Sequence, residues 1–406
     1  MGWNSWYECS EGVSAEKIKE VADAFVKSGL RDHGWTYINI DDCWQGDRDP
    51  KTKALMGNER FPDMKGLCDY VHERGLKIGI YSSPWIGTYA GFRGGTSDNP
   101  DAADPKCLPE DKRLQPNQIF GRQGTKDMGI SFFNAPRIGK YWFLDRDFKA
   151  MADWGFDYIK LDWHPNDVPT TERMAKELRA SGRDIVMSLS NTAPIKNAPE
   201  LSKLAQLWRT GPDIHDSWDS ISRCFNEFDW VKFQSPGHWN DMDMLQVGMR
   251  GRPNLFNAPP KKTNLTPDEQ YTHMSMWCLQ SNPLLLSCYV DKLDDFTLSL
   301  LTNDEVIEVN QDPAGKQVQR VVKAENLEVW FKPMEDGSVA VGLFNRGDKE
   351  AEIDITWADL GRQGPQKIRD LWRQKDLGSH AESFKSKVNP HGVVLVNVSK
   401  DTSGDQ

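Results

Sequence analysis

The segment DYIKLDWHPND, residues 157–167, joins a short apolar strand to an acidic residue at the point where that strand ends. Residues 158–161 favour a strand, and Asp162 follows directly, with Lys160 beside it and turn-like residues after it. An apolar run without polar alternation is typical of a parallel sheet that is covered on both faces. The segment therefore predicts a buried parallel strand with a carboxylate at its carboxyl end.

The same arrangement recurs along the chain, as an apolar strand that ends in polar or acidic residues and is followed by a helix-like segment. The predicted strands are GWNSW (2–6), YINIDDCW (37–44), LKIGIYSS (76–83), DYIKLDW (157–163), IVMSLSN (185–191), LWRTGPD (207–213), GHWNDMDML (237–245) and NPLLLSC (282–288). Between them lie amphipathic segments such as SAEKIKEVADAFVKSGL, which begins with Ser14 as a predicted N-cap. This pattern predicts an α/β protein with a (β/α)8 TIM barrel, and no GxGxxG follows the first strand to favour a dinucleotide-binding sheet.

Two regions depart from this rhythm. The connection after the third strand, about residues 84–147, is rich in Gly, Pro, Asp and Asn, and its aromatic pieces predict an ordered wall over the barrel mouth. After about residue 310, short strands are separated by turn residues, which predicts a C-terminal antiparallel β-sandwich. We therefore expect a catalytic barrel over 1–310 and a sandwich domain over 311–406, joined through EVNQDPAGK.

Composition and net charge limit the kinds of partner and of structural site that the protein could have. The net charge of −10 and the lack of a basic run argue against a nucleic-acid partner, and no apolar stretch is long enough to cross a membrane. Sixteen tryptophans favour a carbohydrate partner, because indole faces stack on sugar rings. The seven scattered cysteines fit neither a zinc site nor a disulfide scaffold, although a single Cys9–Cys43 bridge is one option. Oligomeric state cannot be read from the sequence.

The start of the chain bears on its compartment. No signal peptide precedes the first predicted strand, which fits either a cytoplasmic protein or a mature chain whose leader has been removed. Of the two, we expect a secreted, periplasmic or lysosome-like protein.

Acidic, basic and aromatic residues are concentrated at the predicted strand ends, which meet on one face of a barrel and form its active site. They are Trp3, Trp6, Asp41, Asp42, Tyr81, Lys160, Asp162, Arg209, Asp213, Asp241 and Asp243. Two carboxylates on different strands suggest glycoside hydrolysis by a nucleophile and a general acid. Asp162 suits the nucleophile, with its pKa lowered by Lys160, and Asp213 suits the acid, with its pKa raised by partial burial.

Two other classes of function compete with a glycosidase. Asp clusters at barrel mouths often bind cations, and His164, His215 and His238 lie near strand ends, so a mixed Asp/His site is an alternative. Neither HxH nor HExxH spacing occurs, and we expect no metal and no cofactor. A catalytically silent carbohydrate-binding barrel is the other alternative, but it predicts that Asp162 or Asp213 would be missing.

At these residues the sequence resembles glycoside hydrolase family 27, the α-galactosidase and α-N-acetylgalactosaminidase family, nearly end to end. The matching segments are GWNSW, YINIDDCW, KIGIYS, YIKLD, WRTGPDIHDSWDSI, WNDMDML and EVIEVNQDPAG. The resemblance implies a retaining double displacement, with Asp162 as nucleophile and Asp213 as acid/base. It also implies that Asp41 and Asp42 bind O6 and the axial O4 of the sugar, and that Lys160 and Arg209 hold O2 and O3. Trp6, Tyr81 and Met244 would line the pocket.

Two departures from the family pattern bear on specificity. Animal and plant members carry a cysteine two residues after the nucleophile, bridged to one in the strand-3 loop; here those positions hold His164 and Tyr89. The loop after strand 5, SLSNTAPIKN, has neither the Glu-Trp of the galactosidases nor a clean match to the acetamido-specific version. Ser190, Asn191 and Thr192 are small enough to leave room for a bulkier 2-substituent. We expect hydrolysis of terminal α-D-galactosyl residues. The alternatives are an α-N-acetylgalactosaminidase, a β-L-arabinopyranosidase or an isomalto-dextran hydrolase, and Asp41 favours a sugar with a 6-hydroxymethyl group over a pentopyranose.

Overall fold

The computed structural model of the chain describes residues 1–101, 136–251 and 259–402. They form two compact units, which divide the chain several times. The first unit consists of Met1–Asp213, Gly248–Thr263 and Leu285–Leu293, and the second of Ile214–Val247, Asn264–Leu284 and Asp294–Gln406. The domain division at residue 310 stays a prediction.

Parallel strands form the centre of the first unit. These strands are β1 (Gly2–Asn4), β2 (Tyr37–Asn39), β5 (Lys77–Ser82), β8 (Tyr158–Asp162), β9 (Val186–Ser190), β10 (Leu207–Arg209) and β14 (Leu285–Leu286). They lie in the order β10-β9-β8-β5-β2-β1-β14, and each neighbouring pair is parallel. Apart from β14, adjacent strands in the sheet are successive members of the strand–helix repeat. This order is that of a β/α barrel wall, as the repeat predicts.

Short strands of the first unit lie in the loops. They are β3 (Gln45–Arg48), β4 (Leu55–Gly57), β6 (Thr96–Ser97), β7 (Tyr141–Trp142), β12 (Met249–Arg250) and β13 (Lys261–Lys262). Strand β6 pairs with β7 at the base of the long connection after β5. Thr96 Oγ1 there donates to Pro84 O at 2.8 Å and accepts from Gly139 N–H at 2.8 Å. The base of this connection is therefore ordered, while residues 102–135, more than half of its length, lie outside the described residues.

Helices separate the strands at the predicted places. The α-helices are Trp6–Cys9, Ala15–Lys27, Met64–His72, Leu144–Trp154, Val168–Ala180, Ala198–Leu204, Trp218–Arg223, Pro267–Leu279, Asp295–Leu301 and Asp304–Gln311. The 3-10 helices are Ser10–Gly12, Leu30–His33, Ile195–Asn197, Cys224–Phe233 and Val290–Lys292. In Ala15–Lys27, the buried Ile18, Val21 and Phe25 lie on one face, and Lys17 N–H donates to Oγ of Ser14, the predicted N-cap. None of the helices in the described ranges has the length and hydropathy of a membrane span.

The second unit contains the C-terminal antiparallel sheets. After β11 (Trp239–Asp241), its strands are β15 (Gln319–Ala324), β16 (Leu327–Pro333), β17 (Val339–Asn345), β18 (Ala351–Thr356), β19 (Gln366–Asp370), β20 (Lys375–His380), β21 (Ser383–Val388) and β22 (Val393–Lys400). One sheet has the order β15-β16-β17-β22-β19-β20, and β18 pairs with β21 in another. Val341, Leu343, Ile355 and Phe384 share one apolar core between these sheets. The predicted sandwich is present.

The Cys9–Cys43 bridge that the sequence left open is not formed. Both thiols are free, and burial raises the pKa of each well above its ordinary value. A thiol that stays protonated in an apolar environment packs as a small hydrophobic group. The other described cysteines are also free.

The first unit contains a buried ion pair between a loop strand and a helix. The guanidinium of Arg48 on β3 bonds both carboxylate oxygens of Asp147, at 2.7 and 3.0 Å, and the two side chains are only 4% and 0% exposed. The same Asp147 accepts from the backbone of Leu55, at 2.8 Å. This pair connects a loop hairpin to the helix Leu144–Trp154.

Replacing one member of this pair should destabilise the protein strongly. Asp147→Asn leaves the Arg48 charge buried without its partner, and we expect a loss of about 3–5 kcal/mol in the free energy of unfolding. Asp153→Asn is the matched control, since Asp153 pairs with Lys149 on the same helix but both are exposed, and its loss should stay below about 1 kcal/mol. Equal midpoints of urea unfolding for the two variants would show that the buried pair contributes no more to the free energy of unfolding than the exposed pair does.

Candidate active site

Two adjacent aspartates follow β2, and both are buried. Asp41 Oδ2 accepts from Asn4 Nδ2 at 2.7 Å and from Lys160 Nζ at 2.9 Å. Asp42 accepts from the backbone N–H of Cys43 at 2.7 Å and of Ala90 at 3.1 Å. Each carboxylate is therefore held by fixed donors before any ligand is present.

Asp162 lies at the last position of β8, where the sequence predicts it. Its side chain is buried, and the two carboxylate oxygens have different donors: Tyr81 OH donates to Oδ2 at 2.9 Å, and Asn191 Nδ2 donates to Oδ1. Lys160, two residues earlier on β8, lies on the same face of the strand, and its ammonium lies 5.4 Å from the centre of the Tyr81 ring. The strand thus presents one cation and one carboxylate to the same region.

The predicted effect of Lys160 on Asp162 is only partly right. The pKa of Asp162 is raised to about 6: burial raises it most, Asp41 and Asp213 also raise it, and Lys160 and Tyr81 lower it. The prediction of a lowered pKa is wrong in its net direction, because burial outweighs the charge of Lys160, whose ammonium bonds Asp41. Burial likewise raises the pKa of Asp42 to about 6.

Asp213, the predicted acid, follows β10 and pairs with Arg209 on that strand. Arg209 Nη2 donates to Asp213 Oδ1 at 3.2 Å; the arginine side chain is 4% exposed and the aspartate side chain 53%. The expectation of a partly buried acid is therefore wrong, because Pro212 and Asp213 are both exposed, directly after the buried Gly211. Asp213 is still near enough to Asp162 to raise its pKa.

The remaining predicted pocket residues occupy different places. Trp6 is half-buried, and its backbone N–H donates at 2.9 Å to Oδ1 of Asn4, the residue that also holds Asp41. Ser190 ends β9 and pairs in register with Asp162. Met244 is buried in the second unit, beside Asp243, whose carboxylate accepts from Ile214 N–H at 2.9 Å. The first unit therefore brings together the predicted residues around Asp162, while Met244 belongs to the other unit.

A cluster of three ring side chains includes His164 and Tyr89, the two positions at which the sequence departs from the family pattern. Tyr89 OH and His164 Nδ1 are 3.1 Å apart, and the Trp85 ring contacts both rings edge-on, at 5.1 and 4.9 Å between centres. Asp162 and Asp213 both help to raise the pKa of Tyr89, after burial. A hydrogen bond thus connects the loops after β5 and β8 at the two positions where the resemblance implies that other members have a disulfide.

Metal coordination is the other chemistry that the sequence raised. Within residues 1–101, 136–251 and 259–402, no group of three or more His, Cys, Asp or Glu side chains is arranged to hold a metal ion. His164 is engaged with Tyr89. The charged groups around Asp162 are carboxylates, an ammonium and a phenol, which are types of group that can exchange protons or bind hydroxyl groups.

Two polar residues of this site were not predicted for what they contact. Asn4 lies inside the quoted GWNSW strand, and Asn191 was noted only for its small size. A polar side chain at the end of a parallel strand is the signal that could have identified both. Their donors face Asp41 and Asp162 respectively.

The raised pKa of Asp162 makes its ionised form unfavourable for stability. Because the pKa is about 6 in the folded chain and about 4 when unfolded, Asp162 contributes a destabilisation that is present at pH 7.5 and is lost as the pH falls to 4. Asp162→Asn removes this charge, so its melting temperature should exceed the wild type's at pH 7.5. The advantage should shrink as the pH falls from 6 towards 4. Asp184→Asn, at an exposed position, is the control, and the prediction is contradicted if Asp162→Asn behaves like it in thermal unfolding.

Models of two known protein families match most of this chain. A family model described as "Alpha galactosidase A" matches residues 4–110 and 122–312, and one described as "Alpha galactosidase C-terminal beta sandwich domain" matches 324–398. Alpha-galactosidase 2 of Arabidopsis thaliana is 34% identical, over 98% of this chain and 89% of its own. A probable alpha-galactosidase of Dictyostelium discoideum is 32% identical, over 98% and 91%.

Solved structures show the same relationship. The β-L-arabinopyranosidase of Geobacillus stearothermophilus, a family 27 enzyme, has a TM-score of 0.82 and 27% identity, with 99% of this chain and 96% of that chain covered. The predicted fold class, a β/α barrel with a C-terminal antiparallel sandwich, is confirmed. With family models over most of its length and relatives above 30% identity across nearly all of it, this chain belongs to glycoside hydrolase family 27.

Proposed function

We propose that this protein is a retaining exo-glycosidase that hydrolyses terminal α-D-galactosyl residues from oligosaccharides or glycoconjugates. One observation carries the proposal: Asp162 is a buried carboxylate at the end of β8, with a donor on each oxygen, close to the Arg209–Asp213 pair. A pair of carboxylic residues on different strands is what a double displacement requires. The α-galactosidases among its relatives support the choice of sugar.

In the first step, an ionised Asp162 oxygen attacks the anomeric carbon while protonated Asp213 donates its proton to the glycosidic oxygen. The bond to the aglycone breaks and a glycosyl–Asp162 ester forms. In the second step, Asp213 takes a proton from water, the water oxygen attacks the same carbon, and Asp162 leaves as a carboxylate. Two inversions give net retention. The exposure of Asp213 suits this role, because both the aglycone and the water must reach it.

Recognition of the sugar falls to the charged groups around Asp162. We propose that Asp41 and Asp42 accept from O6 and the axial O4, and that Lys160 and Arg209 hold O2 and O3. Asp41 and Lys160 already bond each other. Burial alone would lower the pKa of Lys160, but the charges of Asp41 and Asp162 outweigh burial, and the net effect is a raised pKa. These groups are ordered in advance, so little reorganisation accompanies binding. Trp6, Tyr81 and Ser190 would line the pocket.

A second candidate within the same mechanism is an α-N-acetylgalactosaminidase. Ser190 favours it, because this residue is small, ends β9 beside Asp162, and lies in the segment that lacks the Glu-Trp of the galactosidases. A β-L-arabinopyranosidase, the activity of the Geobacillus relative, is disfavoured by Asp41, for which a pentopyranose offers no 6-hydroxyl group.

A panel of p-nitrophenyl glycosides separates these substrates. We expect the α-D-galactoside to have the highest kcat/KM, above the 2-acetamido-α-galactoside and the β-L-arabinopyranoside, and proton NMR should show that the α-anomer is released first. Ser190→Glu should lower activity on the 2-acetamido substrate more than on the galactoside, because the longer side chain fills that space. No turnover of any α-galacto-configured member would contradict the proposed substrate.

The roles of the two aspartates predict different responses to the leaving group. Asp162→Asn should lose at least about 10³-fold in kcat on every substrate, because no ester can form. Asp213→Ala should lose about 10²–10⁴-fold on a disaccharide, whose leaving group needs a proton. Its kcat/KM should fall much less on a p-nitrophenyl glycoside, because that leaving group departs as a stable anion.

Asp184→Asn serves as the control for both variants, since Asp184 is exposed and should leave kcat unchanged. Undiminished turnover by Asp162→Asn would overturn the mechanism. An equal loss by Asp213→Ala on both kinds of substrate would remove Asp213 from the acid role.

A further inference from the structure

The two oxygens of Asp162 are held by donors of different origin. Tyr81 OH, on Oδ2, comes from β5 and belongs to the pocket expected from the family pattern. Asn191 Nδ2, on Oδ1, comes from the loop after β9, in the segment SLSNTAPIKN, which lacks the Glu-Trp that the resemblance implies for the galactosidases. The second donor therefore comes from a segment in which this chain departs from the family pattern.

The backbone at Asn191 is held in a conformation that few residues adopt. Its φ is +62°, in the left-handed region, which asparagine tolerates better than most side chains. This conformation turns the chain at the first residue after β9. It accompanies a side chain that points back towards β8 and the Asp162 carboxylate.

A second asparagine, Asn166, fixes this turn. Asn166 is fully buried, and its Nδ2 group lies within hydrogen-bonding distance of three backbone carbonyls: those of Trp163 at 3.0 Å, Ser190 at 3.1 Å and Asn191 at 3.4 Å. Asn197 Nδ2 in turn donates to the Asn166 carbonyl at 3.2 Å. Asn166 thus connects the loop after β8 to the backbone of Asn191, the residue whose amide reaches Asp162.

We propose that Asn191, held by Asn166, is a positioning residue for the nucleophile, a role that rests on the proposed function of Asp162. Its amide donates to Oδ1 and, together with Tyr81 on Oδ2, fixes the rotation of the carboxylate about its Cβ–Cγ bond. A carboxylate with one donor can rotate out of line with the anomeric carbon, whereas one with a donor on each oxygen cannot. Pre-orientation of this kind lowers the barrier to attack without strengthening substrate binding.

The same contact affects the charge of the nucleophile. The titratable and charged groups that face Asp162 are Lys160, Asp41, Asp213, Tyr81 and Tyr89. Burial and the two other carboxylates favour the protonated form of Asp162, and Lys160 and Tyr81 oppose them. A donor to an ionised carboxylate stabilises that form, so the Asn191 amide also keeps Asp162 ionised. Loss of this amide should raise the pKa of Asp162 above its value of about 6.

Two substitutions of Asn191 test the proposal. Asn191→Gly removes the amide and accepts the left-handed backbone without strain. Asn191→Asp keeps the size of the side chain but replaces the donor with a second carboxylate. On the α-galactoside, we expect the glycine variant to lose about 10–100-fold in kcat with little change in KM, which is the effect of one hydrogen bond to a charged group. The aspartate variant should lose more.

The pH profile separates positioning from a merely structural role. The acid limb of kcat/KM, which reports the free enzyme, should move up by about 0.5–1 pH unit in Asn191→Gly and further in Asn191→Asp. Lys196→Ala is the matched control: this residue is exposed in the same loop and should leave the limb and kcat unchanged. Thermal unfolding of each variant checks that the fold is retained, and if Asn191→Gly does not fold, the isosteric Asn191→Asp carries the test.

Each outcome has a distinct meaning. A wild-type acid limb and kcat in a folded Asn191→Gly would overturn the positioning role, as would a loss of kcat that accompanies a lower melting temperature with no movement of the limb. Full activity of Asp162→Asn would instead overturn the proposed function, on which the positioning role rests. Loss of activity in Asp162→Asn, together with unchanged Asn191 variants, would leave the proposed function intact and remove only the role of Asn191.

Discussion

The burial of carboxylates at the ends of parallel strands is the constraint on which the rest of the site depends. An ionised carboxylate in the interior is unfavourable unless donors replace the water that it has lost. Asp41 has Asn4 and Lys160, Asp42 has two backbone N–H groups, and Asp162 has one donor on each oxygen. The loops after the strands supply several of these donors, so their irregular conformations follow from the charges beneath them.

Much of this organisation could be predicted from the sequence, because burial leaves a visible pattern. An apolar run such as that of β8 is typical of a strand in a sheet that is covered on both faces, and the position of Asp162 at the end of that strand can then be predicted. Strand lengths were less predictable. YINIDDCW suggests eight residues, yet β2 ends at Asn39, because Asp41 N–H bonds Ser5 Oγ and Asp42 N–H bonds the Asp41 side chain. When side-chain oxygens accept from backbone N–H groups in place of a neighbouring strand, the strand ends although its residues still favour a strand.

The electrostatics of the site could not be predicted in the same way. Spacing places Lys160 and Asp162 on one face of β8, but it does not say which carboxylate the ammonium contacts or how deeply each group is buried. Lys160 bonds Asp41, which is 119 positions away in the chain, and burial then dominates the pKa of Asp162. Asp213 shows the converse, since a strand-end acid expected to be partly buried is exposed and paired. The net direction of a pKa shift depends on how deeply the group is buried, and the sequence does not show that depth.

The departures from the family pattern concern how the site is held rather than what it contains. Where the resemblance implies a disulfide in other members, the loops after β5 and β8 here meet through Tyr89 and His164, with Trp85 against both rings. In the loop after β9, which lacks the Glu-Trp that the resemblance implies for the galactosidases, Asn191 reaches Asp162 and Asn166 holds the loop. These replacements use hydrogen bonds and ring contacts, whose strength depends on geometry. Specificity can therefore change through the supporting residues while Asp162 and Asp213 stay in place.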